Sequence, residues 1–219
     1  MSLEIDHVAY AVDDLDAAGE AFLQDHGLVS APGGVHPGWG TANRIVALGS
    51  RRYLELIAVI DHDAAATSPF GRTVLERVER GGGWLALSLT DVDIDATATR
   101  LGLAVSDGSR ILPDGRTLRW RSAGIDDPRR TVGLPFFIRW DVPQGLHPGD
   151  DPPAHPCGAD GVAWVEVGED REAFRHWTAD EALPIRFATG PSGIRRVALT
   201  SPDGPIEIRS ISYLKRGNG

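Results

Sequence analysis

Three stretches of the chain hold side chains that could do chemistry. The first is Tyr53-Leu54-Glu55-Leu56-Ile57-Ala58-Val59, an apolar run with one carboxylate inside it. On a strand, Tyr53, Glu55 and Ile57 share a face. An ionised Glu55 buried there needs a partner or a metal ion, because an unpaired buried charge is costly. The second stretch, PIEIRS at 205–210, repeats the apolar–Glu–apolar pattern around Glu207. Glu207 is either a second inward carboxylate or an edge carboxylate that pairs with Arg195 or Arg209. The third is GGVHPGWGTAN at 33–43, with four glycines in eleven residues. Glycine lets backbone approach a ligand closely. The spacing is not that of a phosphate-binding loop, and no lysine follows it. Here His36 is expected to move protons, Trp39 to form an apolar wall and Asn43 to hydrogen-bond a substrate. The alternative is a turn in which Thr41 and Asn43 satisfy local backbone groups.

Other polar residues stand near these. In the opening strand His7, Ala9 and Ala11 share one face, with Asp6, Val8, Tyr10 and Val12 on the other. Arg139 lies on the face of Phe137 and Asp141, and either binds a substrate carboxylate or pairs with Asp141. His147 and His155 each precede a proline in the proline-rich stretch 143–158, and could close over a cavity.

These residues are spread over an order of elements that recurs. A strand at 3–12 leads to an Asp-capped helix ending at Gly27, then to strands at 43–48 and 52–60. A strand at 84–90, a helix over 92–102 and strands near 104–111, 116–123 and 135–141 repeat that order. It returns as a strand at 161–167, a helix at 169–180 and strands near 185–188, 195–200 and 205–210. The fold class is therefore α+β, built from three strand–helix–three-strand units. The expected division is 1–142 for the first two units (3–60 and 84–141), 143–159 for the connection and 160–212 for the third.

IDHVAYAVDDLDAA at 5–18, the glycine segment at 33–43 and YLELIAV at 53–59 together resemble the glyoxalase-like domain family of the vicinal oxygen chelate superfamily. PDGRTLRWR at 113–121 and LPFFIRWD at 134–141 are similar to that family's later segment. The resemblance implies that two units pair into a curved-sheet barrel around a cavity, usually one that holds a divalent metal. It puts His7 and Glu55 at the ligand positions of the first unit, and His155 at a histidine the family tends to carry. The second unit offers no matching ligand. With Glu207 matched to Glu55, the expected metal set is His7, Glu55 and Glu207, suited to zinc, iron(II), manganese or nickel. These three meet only if units one and three pair, or across a dimer. The implied function is a metal-dependent lyase, isomerase or dioxygenase acting on a small vicinal-oxygen substrate. The competing reading is a metal-free small-molecule binding or resistance-type protein using Trp39, Trp84, Trp120 and Trp140.

Composition narrows the field further. The 22 basic and 31 acidic residues give a net charge of −9, which argues against a nucleic-acid partner. No apolar run is long enough for a membrane span, and the N-terminus lacks the pattern of a signal peptide. Cys157 is the one cysteine, so no internal disulfide forms. A cytoplasmic protein is expected, and a homodimer; the third unit, with nothing obvious to cover its sheet, either packs alongside the barrel or pairs with its copy in a second subunit.

Overall fold

The computed structural model describes residues 3–210; positions 211–212 of the expected third unit and the first two residues lie outside them. Strand β1 (Glu4–Ala11) leads into α1 (Leu15–His26), followed by β2 (Ala31–His36), β3 (Thr41–Ala47) and β4 (Tyr53–Val59). Two helices without a counterpart in the sequence reading, α2 (His62–Thr67) and α3 (Pro69–Glu79), connect to β5 (Gly83–Thr90). Then come α4 (Ile94–Leu101), β6 (Val105–Ile111), β7 (Thr117–Ala123) and β8 (Phe136–Asp141). The third unit holds β9 (Gly161–Gly168), α5 (Arg171–Trp177), β10 (Ile185–Ala188), β11 (Gly193–Thr200) and β12 (Ile206–Arg209).

Aspartates start the helices by accepting hydrogen bonds from free backbone N–H groups. Asp14 caps α1, Asp93 caps α4 and Asp170 caps α5. Asp91, two residues before that cap, accepts from the Asp93 N–H at 2.9 Å. Gly27 (φ 66°) and Gly102 (φ 63°) end α1 and α4 in the left-handed region that favours glycine.

The first eight strands close a barrel in the order β1-β4-β3-β2-β6-β7-β8-β5. In both barrel units the last strand returns parallel to the first: His7 faces Tyr53 across β1 and β4, and Ser88 faces Phe136 across β5 and β8. The units join antiparallel, β1 against β5 and β2 against β6. Strand alternation then separates two cores. Ala9, Ala11, Ile57, Phe136 and Ile138 pack inside the barrel. Val8, Tyr10, Leu54, Leu56, Leu87 and Phe137 pack outside it, with Phe22 of α1 and Ile94 of α4.

The third sheet has the order β10-β9-β11-β12. It departs from the barrel units: β9 lies parallel to β10 and antiparallel to β11, and β12 stays at the edge. Its inner residues Val165, Val167, Val197, Leu199 and Ile208 join the core that contains Trp84, Leu134 and Phe137. Burial of each such side chain contributes about 1.5–3 kcal/mol. Two indoles pin the contact, Trp177 Nε1 donating to the Pro135 carbonyl at 2.8 Å and Trp84 Nε1 to that of Ile208 at 3.3 Å. The third sheet is thus covered within the chain, packed alongside the barrel. No helix among the described residues is long and apolar enough to cross a membrane.

Candidate functional site

The barrel encloses a cavity, and its two halves differ. Units one and two meet around it, with His7, His36, Asn43, Tyr53 and Glu55 from the first and Trp120, Phe136, Ile138 and Trp140 from the second. Trp39, Phe70 of α3, Arg110 of β6 and Ile125 complete the lining. The space is about 350 Å³ including the opening to solvent, but only about 20 Å³ is open to the centre of a water molecule. The walls therefore stand close together, with room for one or two waters between them.

His7 is held by the residue before it. The register of β1 against β5 shifts between Ile5 and His7, and at this irregularity Asp6 is fully buried. Its Oδ1 lies 2.6 Å from His7 Nδ1. Its Oδ2 accepts from Thr90 Oγ1 at 2.9 Å, Trp140 Nε1 at 3.0 Å and His147 Nε2 at 3.1 Å. His147 Nδ1 accepts the Gly149 N–H at 3.0 Å, so the proton of His147 sits on Nε2 and points at Asp6. Burial alone would raise the Asp6 pKa, but the hydrogen bonds from His147 and His7 outweigh it and hold the carboxyl well below its usual range. An ionised Asp6 only accepts, so His7 carries a proton on Nδ1 and turns Nε2 to the cavity. The His7 ring stacks on Tyr53 at 4.6 Å. Burial, with Asp6 and Glu55 adding to it, pushes the Tyr53 phenol well above 10.

Glu55 faces this imidazole, with its Oε2 3.7 Å from His7 Nε2. Its Oε1 accepts from Asn43 Nδ2 at 2.6 Å and stands 3.9 Å from His36 Nε2. The glycine segment that brings Asn43 and His36 here is not a loop at the cavity mouth. It is the β2–β3 hairpin, joined by a 3₁₀ turn at Pro37–Trp39, with His36 opposite Thr41 and Gly34 opposite Asn43. Gly33 is needed for this fit: a Cβ there would lie 2.2 Å from Asn43 Oδ1. His36 Nδ1 and Thr41 Oγ1 are 3.1 Å apart. Burial, helped by Arg110 and His7 against the pull of Glu55, lowers the His36 pKa to about 4. Arg110, 3% exposed, places Nη1 3.4 Å from Asn43 Oδ1, while its buried Nε has no hydrogen-bond partner.

Of the residues singled out in the sequence, His7, Glu55, His36, Trp39 and Asn43 come together here. Glu207 does not. It sits on the edge strand β12 and pairs with Arg196 at 2.9 Å, because units one and two close the barrel and the third sheet stacks outside it. Arg139 is exposed on the outer side of β8, opposite the inward Phe136, Ile138 and Trp140. His155 is buried away from the cavity and ties chain segments together. Its Nε2 reaches the Ala47 carbonyl at 2.8 Å and its Nδ1 accepts the Val29 N–H at 3.1 Å. Trp84 likewise lies in the outer core. The sequence reading missed Asp6 as the support of His7, Phe70 and Arg110. A buried arginine in β6, whose other residues are half-buried or exposed, leaves no apolar pattern to find it by.

The metal ion expected from the sequence is not matched by this donor set. Among the described residues no group of three His, Cys, Asp or Glu side chains is arranged to hold an ion. The nearest approach is His7, Glu55 and His36, with nitrogen–oxygen separations of 3.7 and 3.9 Å. Neighbouring ligands on bonds of about 2.1 Å stand roughly 3.0–3.4 Å apart. Asn43 also occupies Glu55 Oε1, and the second unit supplies a cation, Arg110, and aromatic and aliphatic side chains but no ligand.

Comparison with known proteins agrees with the fold. A hypothetical protein from Staphylococcus aureus shares 18% identity at a TM-score of 0.64, over 95% of this chain and 85% of that one. Methylmalonyl-CoA epimerase from Mycobacterium tuberculosis shares 22% identity at a TM-score of 0.44, over 63% of this chain and 86% of that one. The Streptomyces coelicolor epimerase shares 24% at 0.46, over 64% and 98%. No curated protein matches the chain. The glyoxalase-like domain family matches residues 5–182, and with that span the chain belongs to this family.

Proposed function

We propose that the protein is an isomerase or lyase that moves a proton on a small vicinal-oxygen substrate, at a carbon next to a carbonyl, with His7 as the base. One observation carries this reading: Asp6 holds His7 Nδ1 at 2.6 Å, which leaves Nε2 open to the cavity 3.7 Å from Glu55. His7 Nε2 takes the proton, and the C–H electron pair moves onto the carbonyl oxygen as an enediolate. The proton then returns to the neighbouring carbon or oxygen, with Glu55 as the second proton carrier, and no oxidant is consumed. A positioned acid–base group of this kind contributes about 10²–10⁴-fold in rate. His36, with its pKa at about 4, is uncharged at neutral pH and serves as a hydrogen-bonding group, a role different from the proton transfer expected of it. The aromatic side chains of the second unit keep water out and strengthen these polar interactions. The proposed compartment is the cytoplasm, since a chain with one cysteine needs no oxidising environment to fold.

The second reading is the metal-dependent one, lyase, isomerase or dioxygenase. It is favoured by the two imidazole nitrogens that flank the Glu55 oxygens; inward movement of under about 1 Å would bring the three to ligand spacing. One experiment separates the readings. Small 2-oxo and 2-hydroxy aldehydes, ketones and acids are incubated with the protein in D₂O, and loss of the α-proton signal is followed by NMR. Exchange that survives a chelator and falls by about 10²–10⁴-fold in His7→Gln is expected. Exchange lost to the chelator and restored by zinc, iron(II), manganese or nickel transfers the case to the metal reading. Wild-type protein that exchanges none of these compounds overturns the proton-transfer reading and the lyase and isomerase forms of the metal reading.

A further inference from the structure

Arg110 is a buried cation without a buried anion of its own. It is 3% exposed, and burial presses its pKa downward. Among the described residues it forms no ion pair, although Glu55 lines the same cavity. Asn43 stands between the two: its amide N–H goes to Glu55 at 2.6 Å and its amide oxygen faces Arg110 Nη1 at 3.4 Å. The second of these is at the outer limit of a hydrogen bond. The guanidinium has five N–H donors in a planar fork, and the buried Nε has no partner. A desolvated guanidinium left so poorly satisfied is costly. A bidentate oxyanion would satisfy it.

The rest of the cavity describes what that oxyanion is attached to. Trp120 on the neighbouring strand β7, with Trp140 and Phe136 of β8, makes an aromatic wall beside it, and Trp39 and Phe70 line the cavity too. Ring centroids lie 5.8 Å apart for Trp39 and Trp120 and 5.2 Å for Trp120 and Trp140. These rings touch one another, so an apolar body enters only where they part, and a slender or flat one asks for the smallest movement. A phosphate would carry a second charge into a cavity that already holds Glu55, with the buried Asp6 behind His7, against one arginine. A carboxylate carries a single charge and matches the fork in width.

We infer that Arg110 is the carboxylate anchor of the site, and that the substrate is a small monocarboxylate with a flat apolar body, its carbonyl or hydroxyl carbon next to the carboxylate. This rests on the proposed proton-transfer reading for the placement of that carbon, and on Arg110 and the aromatic wall for the rest. Gripping the carboxylate there aligns the adjacent carbon with the polar half, where His7 and Glu55 stand.

Calorimetric titration of the full chain with phenylacetate and with phenylacetamide tests it. The two probes share a shape and differ in charge. Phenylacetate is expected to bind at least about tenfold tighter, the value of one charge-assisted hydrogen-bond pair. In Arg110→Met the two should agree within about twofold, and Arg110→Lys, which keeps the charge without the fork, should fall between. Equal binding in the wild type overturns the inference, as does a preference that persists in Arg110→Met, or binding of neither probe. Should Arg110→Met fail to fold, the wild-type preference and Arg110→Lys still decide. The two proposals fail separately. A carboxylate preference without deuterium exchange on any compound ends the proton-transfer reading alone. Exchange on neutral carbonyl compounds without that preference ends this one alone.

Discussion

On β4, Tyr53, Glu55 and Ile57 face the inside of the barrel; on β8, the corresponding strand of the second unit, Phe136, Ile138 and Trp140 do. The two strands sit in the same place in their units, each parallel to the opening strand. The polar set on one side and the apolar set on the other therefore cannot come from topology. Topology duplicates positions, and the residue types decide what each position does. The asymmetry also has a physical use. A carboxylate and two imidazoles from the first unit and one guanidinium from β6 act most strongly where water is scarce, and the aromatic side chains of the second unit make it scarce. A barrel polar on both sides would be wetter and weaker at the same chemistry.

The sharpest way to break the contrast is to make the second half resemble the first. Ile138, 2% exposed, lines the cavity on β8, and Ile138→Glu would put a second carboxylate there without a partner. We expect a loss of about 3–5 kcal/mol, the cost of an uncompensated buried charge, read from urea unfolding at pH 7. The loss should shrink as the pH is lowered and the new carboxyl is protonated. A loss below about 1 kcal/mol would mean that the second half is already wet.

The polar half alone carries a titrating histidine with a resolved shift. His36 has a folded pKa of about 4 against an ordinary value of 6.5. Between these values the unfolded chain takes up a proton that the folded chain refuses. Stability is therefore full above pH 6.5 and falls as the pH drops towards 4, by about 3 kcal/mol for this one group. His36→Gln should flatten that part of the profile in a pH series of denaturant melts. A variant whose profile keeps the wild-type slope between pH 6.5 and 4 would place the titration elsewhere.

Alternation was enough to read the inner face of β1 and β4, because each strand carries a single polar residue among apolar ones there. The site residues His7 and Glu55 follow from it. The same rule sends Asp6 to the outer face, since a period of two has no term for the register shift beside it. His36 and Asn43 were legible as pocket residues, but the hairpin that presents them was not. Pairing of β2 with β3 depends on Gly33 making room for Asn43, a contact between residues ten positions apart. An arginine was expected in the cavity, and one is there, but it is Arg110 and not Arg139. Strand β8 shows its apolar face plainly, whereas β6 mixes polar residues on both sides, so its buried member is decided by the barrel around it. His155 failed for another reason: a buried histidine whose two nitrogens both meet backbone looks, in sequence, like any loop histidine.

Glu207 and Arg139 set the lower end of the scale. Glu207 was matched to Glu55 by its apolar neighbours Ile206 and Ile208, and that pattern is equally the pattern of an edge strand with one face on a core. Ile208 is indeed buried while Glu207 is exposed and paired with Arg196. Exposed pairs of this kind are worth little, because water screens them and two long side chains must be held still. Glu207→Ala and Arg139→Ala should each leave the thermal midpoint within about 2 °C of wild type, with deuterium exchange unchanged within about twofold. The pair is a control on the whole assignment. Both residues lie outside the barrel, one on the third sheet and one on the outer side of β8. If either substitution removed exchange as thoroughly as His7→Gln, the chemistry would have to reach beyond the cavity, and the division of the barrel into a working half and a dry half would fall with it.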